Sequence, residues 1–313
     1  MKFASTPIET LSSPLLTDKQ LNVSVKRLDL LDGQISGNKW YKLKDNIVEA
    51  QKRGADTIVS FGGAYSNHIH ALANAGRRLQ IKTVGIIRGE AYAELNSTLQ
   101  DAQNWGMTLE FVSRRDYRRK TEADFLAALD QRYPRGYIIP EGGGNALGVK
   151  GCSDIATEIY QQQATVDYIV VAAGTAATFS GITLAAKPHT TVLGIPVLNA
   201  YDGLMRDVKH WLAASPGSVH ARWQLLDGFH LGGYAKVTGE LVQFMDDFAS
   251  DYGIATEPVY SAKMFKALFE LIEQDYFPAG SQIVAVHTGG MQGLRGMAPV
   301  IAKHRHRTLT QRR

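Results

Sequence analysis

Short runs rich in β-branched residues alternate along the chain with longer stretches of helical spacing. Residues 57–61, 82–87, 109–112, 137–139, 168–172, 192–197 and 282–287 read as strands. Several of these are apolar at every position, as strands covered by helices on both faces should be. One helical stretch is expected to begin near Thr121, as N-cap with Asp124 three residues on, and to run through Phe125, Leu126 and Leu129. Another follows Ser261, with Met264, Phe265, Leu268 and Leu271 at helical spacing. Strand–helix alternation predicts an open, mostly parallel α/β fold. The loop Glu141-Gly142-Gly143-Gly144-Asn145 is one expected domain crossing, and the region near Lys42, where a first long helix should begin, is the other. The division expected is a large domain of residues 1–42 and 150–313, and a small inserted α/β domain of residues 43–149.

Composition narrows the class. A chain of 313 residues that is 44% hydrophobic can bury a sizeable core, which excludes a disordered chain. The one cysteine, Cys152, excludes an internal disulfide and a cysteine-rich metal site, and no metal is expected. Cys152 is expected to be a small buried hydrophobe. No apolar run approaches the roughly 18 residues of a membrane span, and residues 1–7 lack an apolar signal core. A soluble, cytoplasmic protein is expected. The net charge of +4 owes much to Lys303, Arg305, Arg307, Arg312 and Arg313. No aromatic residues interleave them to stack bases, so a solvated tail is expected and no nucleic-acid partner.

Four segments carry candidate chemistry. In Gly37-Asn38-Lys39-Trp40-Tyr41-Lys42-Leu43-Lys44, a lysine after a Gly-Asn turn opens a helix and can be aimed into a cleft. A site that lowers its pKa would make its amine a nucleophile. Three lysines at a helix start also read as surface charges. In Ser60-Phe61-Gly62-Gly63-Ala64-Tyr65-Ser66-Asn67-His68, two glycines permit a tight turn, and Ser66, Asn67 and His68 open a helix whose free N–H groups favour an anionic oxygen. A capped helix with a surface histidine is the plain alternative. In Val171-Ala172-Ala173-Gly174-Thr175-Ala176-Ala177-Thr178, small residues and hydroxyls at a helix start suit a phosphate cup or a packing turn. It matches neither the Walker A loop nor the dinucleotide glycine fingerprint. Finally, His287-Thr288-Gly289-Gly290 ends a strand, where Thr and His can face a ligand or close a capped turn.

The order of these segments, from Gly37 to Gly290, resembles the fold-type II pyridoxal 5′-phosphate (PLP) enzymes. It most resembles the 1-aminocyclopropane-1-carboxylate deaminase and D-cysteine desulfhydrase family, and 140–148 and Glu257-Pro258-Val259-Tyr260 extend the likeness. The resemblance implies a tryptophan synthase β-like fold: two open, twisted, mostly parallel sheets flanked by helices, with the active site in a cleft between two domains, and a homodimer. It implies that Lys39 holds the cofactor as a Schiff base and that Asn67 bonds the cofactor's phenolic oxygen. Ser66 matches the hydroxyl near the substrate carboxylate and the proton-transfer path, where Lys39, Ser66 or Tyr260 could be the base, and the carboxylate is expected against Ser66, Asn67 and His68. Gly174, Thr175, Ala176, Ala177 and Thr178 match the phosphate loop. Tyr234 and Tyr260 match two active-site tyrosines, although either could be a core residue.

Two positions bear on the substrate, a small amino acid. The deaminases carry Glu after the tyrosine of Pro-Val-Tyr and Leu after the histidine of the last segment, where this chain has Ser261 and Thr288. That pair resembles the desulfhydrase branch, which implies β-elimination from D-cysteine to pyruvate, ammonia and sulfide. A hydroxyl in place of an acid near the ring nitrogen makes a weaker electron sink, which suits a good leaving group. The alternatives are 1-aminocyclopropane-1-carboxylate deamination, a racemase or dehydratase acting on serine or threonine, and a non-catalytic cofactor or amino-acid binder. Ala176 and Ala177 depart from the more glycine-rich cup of the family, which is tolerable if their φ stays negative.

Overall fold

The computed structural model describes residues 1–35, 37–91, 93–215 and 219–311, with side chains as far as residue 306. Ten strands run in chain order as β1 (Ile8–Thr10), β2 (Asn22–Arg27), β3 (Thr57–Gly62), β4 (Lys82–Arg88), β5 (Thr108–Val112), β6 (Gly136–Ile139), β7 (Tyr168–Ala173), β8 (Thr191–Pro196), β9 (Arg222–Leu225) and β10 (Gln282–His287) among the described residues. The helices are α1 (Pro14–Asp18), α2 (Asn38–Lys52), α3 (Asn67–Leu79), α4 (Ser97–Asn104), α5 (Arg114–Tyr117), α6 (Ala123–Arg132), α7 (Ala146–Gln162), α8 (Ala176–Ala185), α9 (Tyr201–Ala214), α10 (Gly239–Tyr252), α11 (Ser261–Glu273) and α12 (Leu294–Gln311). The strands form a six-stranded sheet in the order β1-β2-β10-β7-β8-β9 and a four-stranded sheet in the order β5-β4-β3-β6. All pairings are parallel except β1 with β2.

Both faces of both sheets are buried, which is why the central strands read as continuous apolar runs. Along β7, Ile169 and Val171 join one apolar cluster while Val170 and Ala172 join another across the sheet. Along β3, Ile58 and Val59 divide between two further clusters in the same way. Cys152 lies buried beside Ile155 and Phe179, as expected of a small hydrophobe, and burial pushes its thiol pKa up.

Three strands were not expected. In β2, Lys26 and Arg27 look like surface residues but are buried. Lys26 Nζ lies 3.0 Å from Glu158 Oε2, and Arg27 forks onto Asp29 at 2.7 Å and onto Glu9. These pairs let charged residues sit inside a strand. β1 and β9 are short edge strands, whose weak patterning reflects how little of them is covered. The expected cap at Thr121 is displaced. The turn after α5 continues through Thr121, with Glu122 N–H on Arg119 O at 2.8 Å, so Glu122 becomes the N-cap of α6 without a side-chain bond. The first long helix starts at Asn38, earlier than the expected Lys42, and α2 runs through Lys42 without a break. In the C-terminal tail, Lys303 and Arg305 are exposed and Arg305 pairs with Asp246 at 2.6 Å. Arg312, Arg313 and the side chain of Arg307 lie outside the described residues.

Helices α2, α7 and α8 pack backbone to backbone through glycine. A methyl at Gly151 of α7 would lie 2.0 Å from the Tyr41 carbonyl oxygen of α2, and one at Gly181 of α8 would lie 2.3 Å from Val149 O of α7. This close stack carries the first turn of α2 onto the first turn of α8. Gly151→Ala should therefore force the helices apart and lower stability by about 1–3 kcal/mol. The check is a urea unfolding curve followed by circular dichroism, where an unchanged midpoint would contradict the packing argument.

Candidate active site

The carboxyl ends of β3, β4, β7 and β10 open onto one cavity of about 390 Å³. Parallel α/β sheets present their ligands there, because the loops that leave strand ends carry polar groups while the strands themselves stay buried. The volume falls in the range of small-molecule sites, roughly 300–1,000 Å³.

The first turn of α2 enters this cavity because of Gly37. Its φ is +37°, and a Cβ there would lie 2.2 Å from the Thr288 carbonyl oxygen, so no other residue fits without a shift. Asn38 N–H donates to the same oxygen at 3.2 Å, tying α2 to the end of β10. The Asn38 amide donates to Thr178 Oγ1 at 2.9 Å and accepts from Lys39 Nζ at 2.7 Å. The Lys39 amine also lies 5.9 Å from the centre of the Tyr260 ring. Burial, then the neighbouring Lys42, bring the Lys39 pKa down to about 7. Near neutral pH a large share of this amine is therefore unprotonated and nucleophilic.

Lys42 was grouped in the sequence with surface charges, and the structure corrects this. It is buried one turn beyond Lys39 on the same helix face and donates to Thr175 Oγ1 at 2.9 Å. Burial lowers its pKa as well. Lys44 turns away and pairs with Asp154.

The cup at the end of β7 is built on the start of α8. Thr175 is its N-cap but makes no side-chain capping bond. Among the described residues the first-turn N–H groups of α8 thus have no side-chain acceptor, and the positive end of the helix faces the cavity. The hydroxyls of Thr175 and Thr178 accept from Lys42 and Asn38, which leaves each hydroxyl proton to be donated. Ala176 and Ala177 keep negative φ and are buried, and Ala176 packs beside Phe179. Their methyls sit in the core and leave the cup open.

At the end of β3, Ser66 caps α3, its Oγ accepting from Ile69 N–H at 3.3 Å. Gly62 and Gly63 keep negative φ. What Gly62 provides is room, since a Cβ there would lie 2.5 Å from Ile69 Cγ1. Asn67 Oδ1 accepts from the Gln292 amide, whose own oxygen accepts from Thr98 Oγ1 at 2.8 Å. This chain orients Asn67 so that its NH₂ remains as the donor in the cavity wall. His68 is buried, which corrects the surface-histidine alternative. Ser60 Oγ donates to Ile139 O at 2.7 Å, so His68 Nε2 must donate to Ser60 Oγ at 2.9 Å. Nδ1 is then a bare, buried acceptor with no donor among the described residues. Burial, Lys39 and Lys42 bring the His68 pKa down to about 3, so the ring is neutral.

Tyr260 lines the cavity over Gly174, and Tyr234 stands at the mouth, 50% exposed. Lys263, which is fully buried, donates to His230 O at 2.8 Å and Gly233 O at 2.6 Å and so pins the loop that carries Tyr234. Thr288 is in the wall, but Ser261 is not among the lining residues. Ser261 Oγ accepts from Glu257 N–H at 2.9 Å and turns back on the Glu257 carbonyl and carboxylate at 3.3 and 3.2 Å. The Ser261 hydroxyl thus serves the start of α11 and does not face a ligand, contrary to the sequence reading. Both oxygens of the buried Glu257 carboxylate accept backbone N–H groups, those of Val259, Tyr260 and Ser261, at 2.7–2.8 Å.

Lys39, Ser66, Asn67, His68, Gly174, Thr175, Thr178, Tyr234, Tyr260 and Thr288 are thus brought to one cavity. Ala176 and Ala177 support the cup from behind. Asn38, Lys42, Glu257 and Gln292 were missed as site residues. The helical spacing of Lys42 from Lys39 was a usable signal. Gln292 gave none, because its contact spans distant parts of the chain.

A family model described as "Pyridoxal-phosphate dependent enzyme" matches residues 3–289. A putative 1-aminocyclopropane-1-carboxylate deaminase of Thermotoga maritima is 32% identical, over 92% of this chain and 95% of its own. D-cysteine desulfhydrase of Serratia proteamaculans is 26% identical over 95% of each chain. A crystal structure of an "ACC deaminase homologue" superposes with a TM-score of 0.81 at 26% identity, covering 96% of this chain and 94% of the other.

The residues present fit PLP. The uncapped α8 terminus, two hydroxyls with free protons and the buried Lys42 suit a phosphate, the oriented Asn67 amide suits a phenolic oxygen, and Lys39 suits the aldehyde. Without added cofactor, Lys39 should react with formaldehyde and cyanoborohydride half-maximally near pH 7. Its neutral amine is the reactive form and predominates above that pKa. Peptide mass spectrometry across pH checks this, and a reactivity that climbs only near pH 10 would refute it.

Proposed function

The chain belongs to the pyridoxal-phosphate dependent enzyme family, and from that premise we propose that it catalyses β-elimination from D-cysteine, giving pyruvate, ammonia and sulfide. It is an enzyme of fold type II whose cofactor is PLP and whose substrate is a small amino acid. The bound cofactor supplies an electron sink for negative charge at the substrate Cα.

The residues divide the remaining work. Lys39, partly unprotonated near neutral pH, would hold the cofactor and is placed to carry the Cα proton. Thr175, Thr178, the N–H groups at the start of α8, and Lys42 hold the phosphate. Asn67 donates to the phenolic oxygen. Ser66 receives the substrate carboxylate at the start of α3, and the bare Nδ1 of His68 is left to accept a hydrogen bond from an N–H or O–H of a ligand. Tyr260 and Tyr234 shield the reacting carbon from the mouth and offer hydroxyls for proton transfer. Burial pushes the Tyr260 phenol pKa up, so it remains a protonated donor.

The observation that carries the choice of reaction is Thr288. It lines the cavity at the position where the deaminases carry leucine, and the cavity-lining Glu257 carboxylate is held by the backbone N–H groups of Val259, Tyr260 and Ser261. A hydroxyl at that position supports expulsion of a thiolate over opening of a cyclopropane. Relatives named for either reaction leave 1-aminocyclopropane-1-carboxylate deamination as the second reading. The same reading divides the protein into a cofactor lobe of residues 1–42 and 150–313 and an inserted lobe of residues 43–149. The separate four-stranded sheet of β3–β6 supports that division. A cytoplasmic homodimer completes it, on the strength of the family resemblance.

Purified protein should release pyruvate and sulfide from D-cysteine faster than 2-oxobutyrate from 1-aminocyclopropane-1-carboxylate. The reverse order would select the second reading, and retained colour without turnover of either would indicate a binder. Lys39→Ala should lose the visible absorbance of the lysine-bound cofactor and fall below about one thousandth of wild-type kcat. Lys42→Met should keep that absorbance at saturating cofactor but raise the cofactor Kd by about 10- to 100-fold, read by titration of the apoprotein. An unchanged Kd would remove Lys42 from the phosphate site.

A further inference from the structure

The four-stranded sheet places a second set of cations outside the first. Arg88 is the last residue of β4, and the turn after β5 leads into Arg114 and Arg118 around α5. With Lys120 and Glu141 they surround a shallower recess of about 440 Å³ that shares Arg88 and Glu141 with the central cavity. Glu141 is already engaged, accepting from Tyr117 Oη at 2.8 Å and pairing with Lys120 at 3.4 Å. Among the described residues, Arg88, Arg114 and Arg118 have no carboxylate at ion-pair distance.

Arg88 is the member that reaches the reaction site. Its guanidinium carbon lies 5.8 Å from the centre of the Tyr117 ring, and its Nη2 would be 3.4 Å from a Cβ at Gly63. Gly63 closes the turn into Ser66, whose N–H donates to Gly63 O at 3.0 Å. An amino acid with its carboxylate at Ser66 would therefore sit beside an arginine fork that, among the described residues, holds no carboxylate. Such a fork matches the oxygens of a carboxylate, sulfate or phosphate.

We propose that Arg88 is a specificity-determining residue that selects substrates whose β-substituent is an oxyanion, with Arg114 and Arg118 drawing such anions to the mouth. This rests on the elimination reading above and extends it to esters of serine. In that step the Cα–H proton passes to a base of the enzyme and its electron pair forms the Cα–Cβ double bond. The Cβ–O bond breaks, and sulfate or phosphate leaves with its electron pair. Water then releases ammonia and pyruvate.

The test uses holoenzyme and two pairs of probes, with each enantiomer. Serine O-sulfate and 3-chloroalanine both yield pyruvate but differ in the charge of the leaving group. In Arg88→Gln the ratio of their kcat/KM values, sulfate over chloride, should fall at least about tenfold, and Arg88→Lys should restore part of it. Aspartate and alanine test binding without a leaving group. Wild type should bind aspartate at least about tenfold more tightly by calorimetry, and Arg88→Gln should remove the difference. Equal losses on both elimination substrates would place Arg88 on the common carboxylate and overturn the proposal, as would equal binding of aspartate and alanine by wild type. Absence of pyruvate from every substrate with the aspartate preference intact would sink the elimination reading and leave the anion site standing.

Discussion

Two lysine amines one helical turn apart, one buried and one half-buried at the cavity wall, each resting on a neutral oxygen, set the terms for this structure. Lys39 Nζ rests on the Asn38 amide oxygen and Lys42 Nζ on the Thr175 hydroxyl, and among the described residues neither has a carboxylate at ion-pair distance. A buried ammonium without a counterion costs several kcal/mol after relaxation. The protein has two ways to lower that cost. One is to give up a proton, as Lys39 does with a pKa of about 7. The other is to bind an anion, which the Lys42 amine and the uncapped end of α8 invite together. A nucleophilic amine and an anion cup are therefore two outcomes of one electrostatic problem.

Much of the fold keeps that pair in place. Gly37 brings the chain so close to Thr288 that α2 begins on the end of β10, and glycines of α7 and α8 let three helices touch through their backbones. The donor chain Thr98–Gln292–Asn67 joins α4, the segment before α12, and α3. Asp101 of α4 braces the same region, accepting from Arg295 at 2.6 Å and meeting His70 at 3.2 Å. The orientation of the Asn67 amide thus depends on contacts between parts of the chain that belong to different sheets. Small shifts between them would reach the cavity as a rotated donor, a larger effect than a lost contact elsewhere.

How much of this was legible depends on how far each signal reaches along the chain. The strands β7 and β10 were readable because sheets covered on both faces need apolar residues at every position. β2 was hidden because Lys26 and Arg27 are buried with partners supplied by Glu158, Asp29 and Glu9, and pairing over such distances leaves no local pattern. Lys39 was recoverable from the order of the motifs around it. Lys42 reads as one of a cluster of surface lysines, although its spacing puts it on the face of Lys39. The role read into Ser261 failed because a hydroxyl at a helix start has a nearer partner in the backbone and in Glu257 than in any ligand. Gln292 and Lys263 act on groups far away in sequence, and only the folded chain brings them there.

The inner and outer cations should also behave differently towards salt. Lys42 is buried and Lys39 lies half-buried in the cavity wall, so ions in solution screen them less than the arginines outside. Arg88 is exposed, and across the roughly 8 Å Debye length of physiological salt its field reaches the cavity but not far beyond the mouth. An anion on Lys42 neutralises the interior without cancelling the charge outside. A loaded enzyme would then still present a cationic mouth to an incoming substrate. Exposed charge of this kind acts chiefly on the rate of encounter and on the choice among substrates. The inner pair makes the chemistry available, and the outer arginines bear on which amino acid arrives to use it.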